Sequence, residues 1–136
     1  KEGIPLMPGA MELIDYARER GYKIAVASSS SQEHSIRVLT EANIYHLLDA
    51  SIFGNMVKHS KPDPEIYIGA CQLLGLKPDE CMALEDSPAG IDSAAAAGLV
   101  TIMIPDLVTP QAETLEKVDY HYKNLLEVID LLEKIK

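Results

Sequence analysis

The sequence lacks the charge and hydropathy patterns of several large protein classes. It has 12 Lys and Arg against 21 Asp and Glu, a net charge of −9. A nucleic-acid or anionic-membrane surface needs clustered basic residues, so this balance argues against both partners. No apolar run approaches the roughly 20 residues of a membrane helix. The chain starts at Lys1 with neither a signal peptide nor an initiator methionine, which predicts a cytoplasmic location and an internal piece or a processed chain.

Residues and motifs that bind common cofactors are also scarce. The two cysteines, Cys71 and Cys81, have no CxxC spacing, and we expect them to be buried free thiols in a reducing cytosol. The four histidines are scattered without the spacing of metal ligands. The motifs GxGxxG and GxxxxGK[ST] are absent, which disfavours a nucleotide-binding oxidoreductase and a P-loop protein.

What the sequence does contain is a regular alternation of helical and strand patterns along one domain, residues 1–136. Short apolar runs predict strands, and stretches with a helical period predict helices between them. This order predicts a parallel sheet with helices on both faces. The predicted strands are 23–27, 50–53, 81–84, 100–104 and a short edge strand at 120–122, and the main helices are 7–20, 31–42, 64–74, 87–97 and one that begins near 124.

Two finer predictions concern the third helix and the region after the fourth long strand. The helix that begins at Pro64 and Glu65 is predicted to bury Ile66, Ala70 and Leu73. The segment 108–114 is predicted to be a loop.

Two adjacent acidic residues stand at the centre of the chain. The apolar run 81–84 ends on Glu85 and Asp86, and Ser87 and Pro88 then begin a helix. In open α/β sheets, ligands bind at this carboxyl edge of the strands. Two like charges side by side require a nearby cation, so the pair predicts a divalent metal or a lysine. The pair also suits Mg²⁺, which prefers oxygen ligands, while the alternative is a structural acid pair at a helix start.

A lysine and a run of serines supply further polar groups to the same edge. Lys61 lies in the sequence Ser-Lys-Pro-Asp-Pro, where the two prolines stiffen the backbone; the alternative is a solvated surface lysine. Ser28 and Ser29 follow the predicted strand 23–27 and precede the predicted helix 31–42. Hydroxyls and backbone N–H groups at a helix start bind phosphate well, although a plain serine N-cap is the other interpretation. Together these residues predict a phosphate and metal site.

The serine run, the lysine between serine and proline, and the acidic pair follow one another along the chain in this order. Together these three motifs resemble those of the haloacid dehalogenase superfamily. Its β-phosphoglucomutase-like branch of phosphatases and mutases is the most similar, and the resemblance covers about residues 6–101. It implies a three-layer α/β/α Rossmann-like core and a Mg²⁺-dependent reaction on a small phosphorylated metabolite, such as a sugar phosphate. The general needs of phosphoryl transfer, positioning and charge stabilisation, agree with such a set of residues.

The resemblance also implies a role for each candidate residue. Ser28 would bind the transferring phosphoryl group with help from the Ser29 backbone, and Lys61 would neutralise charge between nucleophile and phosphate. Asp86 would ligate Mg²⁺, and Glu85 would ligate it or orient its waters.

One departure from the family pattern is large. The Asp-x-Asp motif, which carries the aspartate nucleophile on the first strand, is absent, and so is the helical cap domain. In the family that strand lies in the middle of the sheet, so its absence leaves a gap lined with unpaired backbone groups, which are costly when buried. The resemblance therefore implies that the chain is the C-terminal portion of a longer core and pairs with a missing N-terminal segment of the same protein.

Two functions of different classes follow. In the first, the complete protein is a phosphatase that forms a phospho-aspartyl intermediate, and this chain alone is inactive. Mutase activity is less expected, because Ser31-Gln32 stands where some mutases carry a lysine. In the second, the chain is a non-catalytic phosphate- or metal-binding module that pairs with a partner through its open sheet.

Overall fold

The computed structural model describes residues 4–104 and 112–135. Within these ranges, helices and strands alternate from α1 to α6 and from β1 to β5, joined by short loops and single 3₁₀ turns. The elements are α1 (Ala10–Glu19), β1 (Ala25–Ser28), α2 (Gln32–Glu41), β2 (Ala50–Phe53), α3 (Glu65–Leu74), β3 (Met82–Glu85), α4 (Pro88–Ala97), β4 (Val100–Met103), α5 (Ala112–Leu115), β5 (Tyr120–His121) and α6 (Leu126–Lys134).

All strand pairs in residues 4–104 and 112–135 are parallel, but they form two sheets rather than one. Strand β1 pairs with β2, and β3 pairs with β4, which pairs with β5. Helices join the successive strands, as parallel pairing requires. The α/β class with a parallel Rossmann-like arrangement is therefore confirmed.

Besides the outer edges of β2 and β5, the two sheets present unpaired edges at β1 and β3 among the described residues. The carbonyls of Ile24 and Glu85 bond to β2 and to the residue after β4, respectively. Because alternate residues of a strand direct their backbone groups to opposite sides, the N–H and C=O groups of Ala27 and Leu84 lie on the other edges. Among the described residues, no strand occupies these two edges, in agreement with the predicted gap in the sheet.

Two hydrophobic clusters cover the opposite faces of the strands. One joins α3 and α4 to the sheets, with Ile66 and Ala94 at its centre. The other joins α1 and α6 to β3 and β4, with Ile102 and Val128 fully buried. This arrangement gives the three layers, helices on each side of the strands, that the alternation of patterns predicts.

Local signals explain where the helices begin and end. Ser31 and Ser87 accept hydrogen bonds from the backbone of the first turns of α2 and α4, which satisfies donors that the helix itself leaves free. Gly75 and Gly98 end α3 and α4 in the left-handed conformation. The predicted boundaries lie within two residues of the observed ones, except the start of the first helix, which is predicted at residue 7 and observed at Ala10.

Two local predictions are wrong. Leu73, predicted to be buried, is 56% exposed, whereas Tyr67 and Cys71 are buried. The buried face of α3 is therefore rotated about the helix axis relative to the predicted face, toward Tyr67 and Cys71. Residues 112–114, predicted as part of a loop, lie in α5 (Ala112–Leu115); the preceding part of that predicted loop lies outside the described residues. No helix among the described residues is long and apolar enough to cross a membrane.

The two cysteines are free thiols of unequal exposure. Cys71 is buried in the cluster around α3, as predicted, whereas Cys81 is only half-buried. Burial, with a smaller contribution from the neighbouring Cys81 thiol, raises the pKa of Cys71 to about 12. The thiolate is the reactive form of cysteine, so Cys71 is chemically protected in the folded chain.

We expect Cys71 to remain unmodified by iodoacetamide at pH 8 in the native protein, because both its burial and its pKa disfavour the thiolate. Mass spectrometry of the peptides would measure this, with the denatured chain, in which both cysteines react, as the control. Alkylation of Cys71 as fast as that of Cys81 in the native protein would contradict the expectation.

Candidate phosphate and metal site

The carboxyl ends of β1 and β3 face each other across the gap, and a lysine connects them. Lys61, from the loop between β2 and α3, donates from Nζ to Glu85 Oε2 at 2.5 Å and to the carbonyl of Ala27 at 3.2 Å. Glu85 is the last residue of β3, and Ala27 precedes Ser28, the last residue of β1. The structure thus brings Lys61 and Glu85 together and holds Lys61 one residue from Ser28.

The Lys61–Glu85 ion pair is buried. The two side chains are 12% and 7% exposed, respectively. An ammonium carries three N–H donors, and two of those on Lys61 are used by Ala27 and Glu85. Within the described part of the chain the third has no acceptor, so it is available to an anion in the gap. A surface lysine, the alternative interpretation from the sequence, does not agree with this burial.

The position of Glu85 follows from the pleat of β3. Side chains alternate between the two faces of a strand, so Glu85 follows Ala83 to the face that α3 and α4 cover. A Cβ built on Gly90, in the first turn of α4, would lie 2.6 Å from Glu85 Oε2 and closer still to Oε1. Only glycine leaves room for the carboxylate at this point. Gly90 therefore allows a charged group to pack directly on the helix.

Tyr67 completes the surroundings of Glu85, and the sequence analysis missed it. Its hydroxyl donates to the same Oε2 atom that accepts from Lys61. Burial, and then the negative charge of Glu85, raise the pKa of Tyr67 well above its usual value. The hydroxyl therefore stays protonated at neutral pH. The sequence offers one signal for this contact. Tyr67 stands next to Ile66, which is predicted to be buried, and a buried tyrosine hydroxyl usually has a hydrogen-bond partner.

The serine motif forms a rigid loop at the end of β1. Ser28 Oγ accepts hydrogen bonds from the Ser30 N–H at 3.2 Å and from the Ser35 hydroxyl at 3.3 Å. Its own O–H remains free to donate. Ser29 is exposed, and its carbonyl packs so closely on Gly54 that a Cβ there would overlap it. The loop is thereby fixed against the segment after β2, with Ser28 and Ser29 at the edge of the gap.

Asp86 is the acidic residue that remains available to a cation. It is half-buried, and it takes no part in the hydrogen bonds and ion pairs that the described residues form around the site. Ser87, not an acid, caps α4, so neither acidic residue is needed as a cap. Mg²⁺ is usually held by one or two carboxylates with water and phosphate. Asp86, which follows Glu85 in the chain, has a carboxylate suited to such a ligand set.

A second group of side chains could also hold a metal ion. Ligand atoms of His59, Asp63 and Glu65 lie within 4.8 Å of one another, although the histidines appeared scattered in the sequence. The loop before α3 folds back, and both Glu65 oxygens accept backbone N–H groups from residues 58 and 59. A cleft of about 430 Å³ opens next to this group. Neither feature contains Ser28, Ser29, Lys61, Glu85 or Asp86.

The chain is similar in sequence to several known proteins. A model of the haloacid dehalogenase-like hydrolases matches residues 1–98. Hexitol phosphatase A of Escherichia coli is 35% identical over 108 residues, which are 76% of this chain and 47% of that protein. Validoxylamine A 7′-phosphate phosphatase of Streptomyces hygroscopicus subsp. limoneus is 35% identical over 120 residues, which are 88% of this chain and 55% of that protein.

Solved structures share the fold. A crystal structure of CbbY from Rhodobacter sphaeroides in complex with phosphate has a TM-score of 0.81 and 32% identity, over 90% of this chain and 55% of that one. A putative β-phosphoglucomutase from Thermotoga maritima has a TM-score of 0.86 and 26% identity, over 95% of this chain and 60% of that one. The chain therefore spans about half the length of the curated relatives that it matches.

Proposed function

Because the chain belongs to the haloacid dehalogenase-like hydrolase family, in its β-phosphoglucomutase-like branch, we propose that it is the phosphate- and metal-binding portion of a phosphatase. The complete enzyme would hydrolyse a small phosphorylated metabolite with Mg²⁺. The observation that carries the proposal is the buried Lys61–Glu85 pair at the ends of β1 and β3, with one N–H of Lys61 directed to no acceptor in the described residues.

The five residues have separate tasks in this proposal. Ser28 Oγ and the Ser29 backbone hydrogen-bond the transferring phosphoryl group, which the free Ser28 O–H supports. Lys61 stabilises the negative charge that accumulates on the phosphoryl oxygens. Asp86 ligates Mg²⁺, and Glu85 ligates it or orients its waters. The metal, when bound, would neutralise phosphate charge.

The nucleophile comes, in this proposal, from an N-terminal segment of the same protein. That segment would add a strand between β1 and β3, and residues 1–136 would be the C-terminal portion of one core domain. The two free strand edges support this, since unpaired edges bind an additional strand readily. An aspartate on the new strand would attack phosphorus, displace the alcohol oxygen of the substrate and form the phospho-aspartyl intermediate, which water then hydrolyses. Without it, we expect this chain to have no turnover.

We propose phosphorylated sugars or sugar alcohols as substrates. The names of the relatives include a hexitol phosphatase and a validoxylamine A 7′-phosphate phosphatase, and one CbbY structure contains xylulose-1,5-bisphosphate. The net charge of −9 makes nucleic acid an unfavourable partner. The free thiols Cys71 and Cys81 agree with a reducing compartment, and we propose the cytoplasm.

Replacing Asp86 with asparagine in the complete protein tests the metal assignment. We expect the Mg²⁺ concentration for half-maximal phosphate release to rise at least tenfold and the maximal rate to fall, because a neutral amide is a weaker Mg²⁺ ligand than a carboxylate. The assay is the release of phosphate from hexitol phosphates over a range of Mg²⁺ concentrations. Exposed Asp79, at the opposite end of β3, provides the control as Asp79→Asn.

Two results would count against the proposal. Unchanged metal dependence in Asp86→Asn would remove Asp86 from the metal site. A complete protein that binds phosphate or Mg²⁺ but releases no phosphate from any phosphorylated sugar would favour the non-catalytic module instead.

A further inference from the structure

Tyr67 contacts both members of the Lys61–Glu85 pair. Its hydroxyl donates to Glu85 Oε2, and its ring lies beneath the ammonium, with Lys61 Nζ 5.2 Å from the ring centroid. The side chain is only 7% exposed. One aromatic residue, fixed by the packing of α3, therefore touches the anion and the cation at the same time.

The contacts of the hydroxyl restrict where Lys61 can lie. Glu85 Oε2 accepts from Tyr67 and Lys61 together, so the tyrosine hydroxyl opposes rotation of the carboxylate about its bond to Cγ. Hydrogen bonds to charged groups are stronger than those between neutral groups. With the carboxylate fixed, the direction of the Lys61–Glu85 hydrogen bond is fixed as well. The long lysine side chain would otherwise have several rotamers to occupy.

We propose that Tyr67 is a positioning residue, whose hydroxyl fixes Glu85 and thereby holds the Lys61 ammonium at the gap between β1 and β3. This inference rests on the proposed function for its catalytic consequence: a group that stabilises a transferring phosphoryl group is effective only when it is already in place. Tyr67 does not touch the substrate in this proposal. It acts through Glu85 and Lys61.

Tyr16 offers a matched control for the loss of a tyrosine hydroxyl. Its hydroxyl oxygen is buried without a hydrogen-bond partner among the described residues, and its ring packs against the other hydrophobic cluster, around α1 and α6. Tyr16→Phe removes the same atom as Tyr67→Phe but breaks no hydrogen bond. The two variants therefore separate the hydrogen bond to Glu85 from the general effect of the substitution.

The mobility of the Lys61 side chain tests the positioning directly. In the complete protein, ¹³C relaxation of lysine Cε groups would give an order parameter for Lys61, with exposed Lys58 as the internal reference. We expect a rigid Lys61 in the wild type and in Tyr16→Phe, and a value that approaches that of Lys58 in Tyr67→Phe. A Lys61 that stays rigid in Tyr67→Phe would overturn the inference. Thermal unfolding of both variants verifies that each remains folded at the temperature of measurement.

Kinetics then test the catalytic consequence. We expect Tyr67→Phe to lower kcat about tenfold with KM within twofold, because the lost interaction acts mainly in the transition state. In a Lys61→Met background, Tyr67→Phe should cause no further loss, since residues that act through each other are not additive. Additive losses, or an unchanged kcat with a mobile Lys61, would overturn the role. If the wild type releases no phosphate, the proposed function fails, while the relaxation data still decide whether Tyr67 holds Lys61.

Discussion

Replacing Lys61 with methionine is expected to lower the rate of phosphate release by the complete protein about 10³-fold, a typical effect of losing a positioned charge-stabilising group. The same change should lower the free energy of unfolding by about 3 kcal/mol, because it leaves the Glu85 carboxylate buried without its cation. The pair is nearly inaccessible to solvent, at 12% and 7% exposure, so water cannot replace the ammonium. Phosphate release and urea denaturation measure the two effects.

A second substitution separates the stability effect from the catalytic one. Glu85→Gln added to Lys61→Met removes the uncompensated charge, so most of the lost stability should return while the activity stays low. Lys58→Met, three residues earlier on the same loop at an exposed position, is the control for the change of residue type. If Lys61→Met destabilises the protein no more than Lys58→Met does, the buried pair has no structural importance.

Gly90→Ala should disturb the same site through α4, which packs against the Glu85 carboxylate. The added methyl group would overlap the Glu85 carboxylate, so Glu85 must move away from Tyr67 and Lys61 or α4 must shift. Overpacking of this kind costs about 1–3 kcal/mol, and we expect the activity of the complete protein to fall about 100-fold because positioning is lost. Thermal unfolding and the phosphate-release assay report on these two quantities.

Gly69→Ala in α3 is the matched control for Gly90→Ala. A Cβ at Gly69 would meet only the Cδ1 atom of Ile52, at 2.7 Å, and that atom is the end of a side chain that can rotate. Alanine also favours a helix over glycine by up to about 1 kcal/mol. We therefore expect Gly69→Ala to be close to neutral in stability and to keep the site intact. Equal effects of the two alanines would show that contact with Glu85 is not the cause.

The sequence predicted the elements well because their signals are local. Ser87 and Gly98 mark the two ends of α4 through their own backbone and side-chain preferences. The parallel order of the strands follows from alternation alone, and it places the ends of β1 and β3 at one edge. Because of that topology, the sequence alone predicts Ser28, Glu85 and Asp86 in one site.

Features that depend on tertiary contacts could not be predicted from the sequence. The Tyr67 hydroxyl is hydrogen-bonded to Glu85, 18 positions away in the chain, and no periodic pattern in the sequence connects the two residues. Leu73 fits an apolar stripe on α3 but is exposed. The face of α3 that packs against β1 and β2 determines which residues are buried, and Leu73 does not lie on that face. His59 showed no ligand spacing, yet the fold of its loop brings it to Asp63 and Glu65.

The free edges of β1 and β3 have a consequence for the behaviour of this chain in concentrated solution. An unpaired strand edge is a template for any extended segment, including the edge of another copy, and growth by such pairing has no natural end. The net charge of −9 opposes it through mutual repulsion, and salt weakens that repulsion. The colloidal stability of the isolated chain therefore depends on a balance between strand addition and repulsion. A strand inserted between β1 and β3 would cover both of these edges and shift the balance toward the dispersed chain.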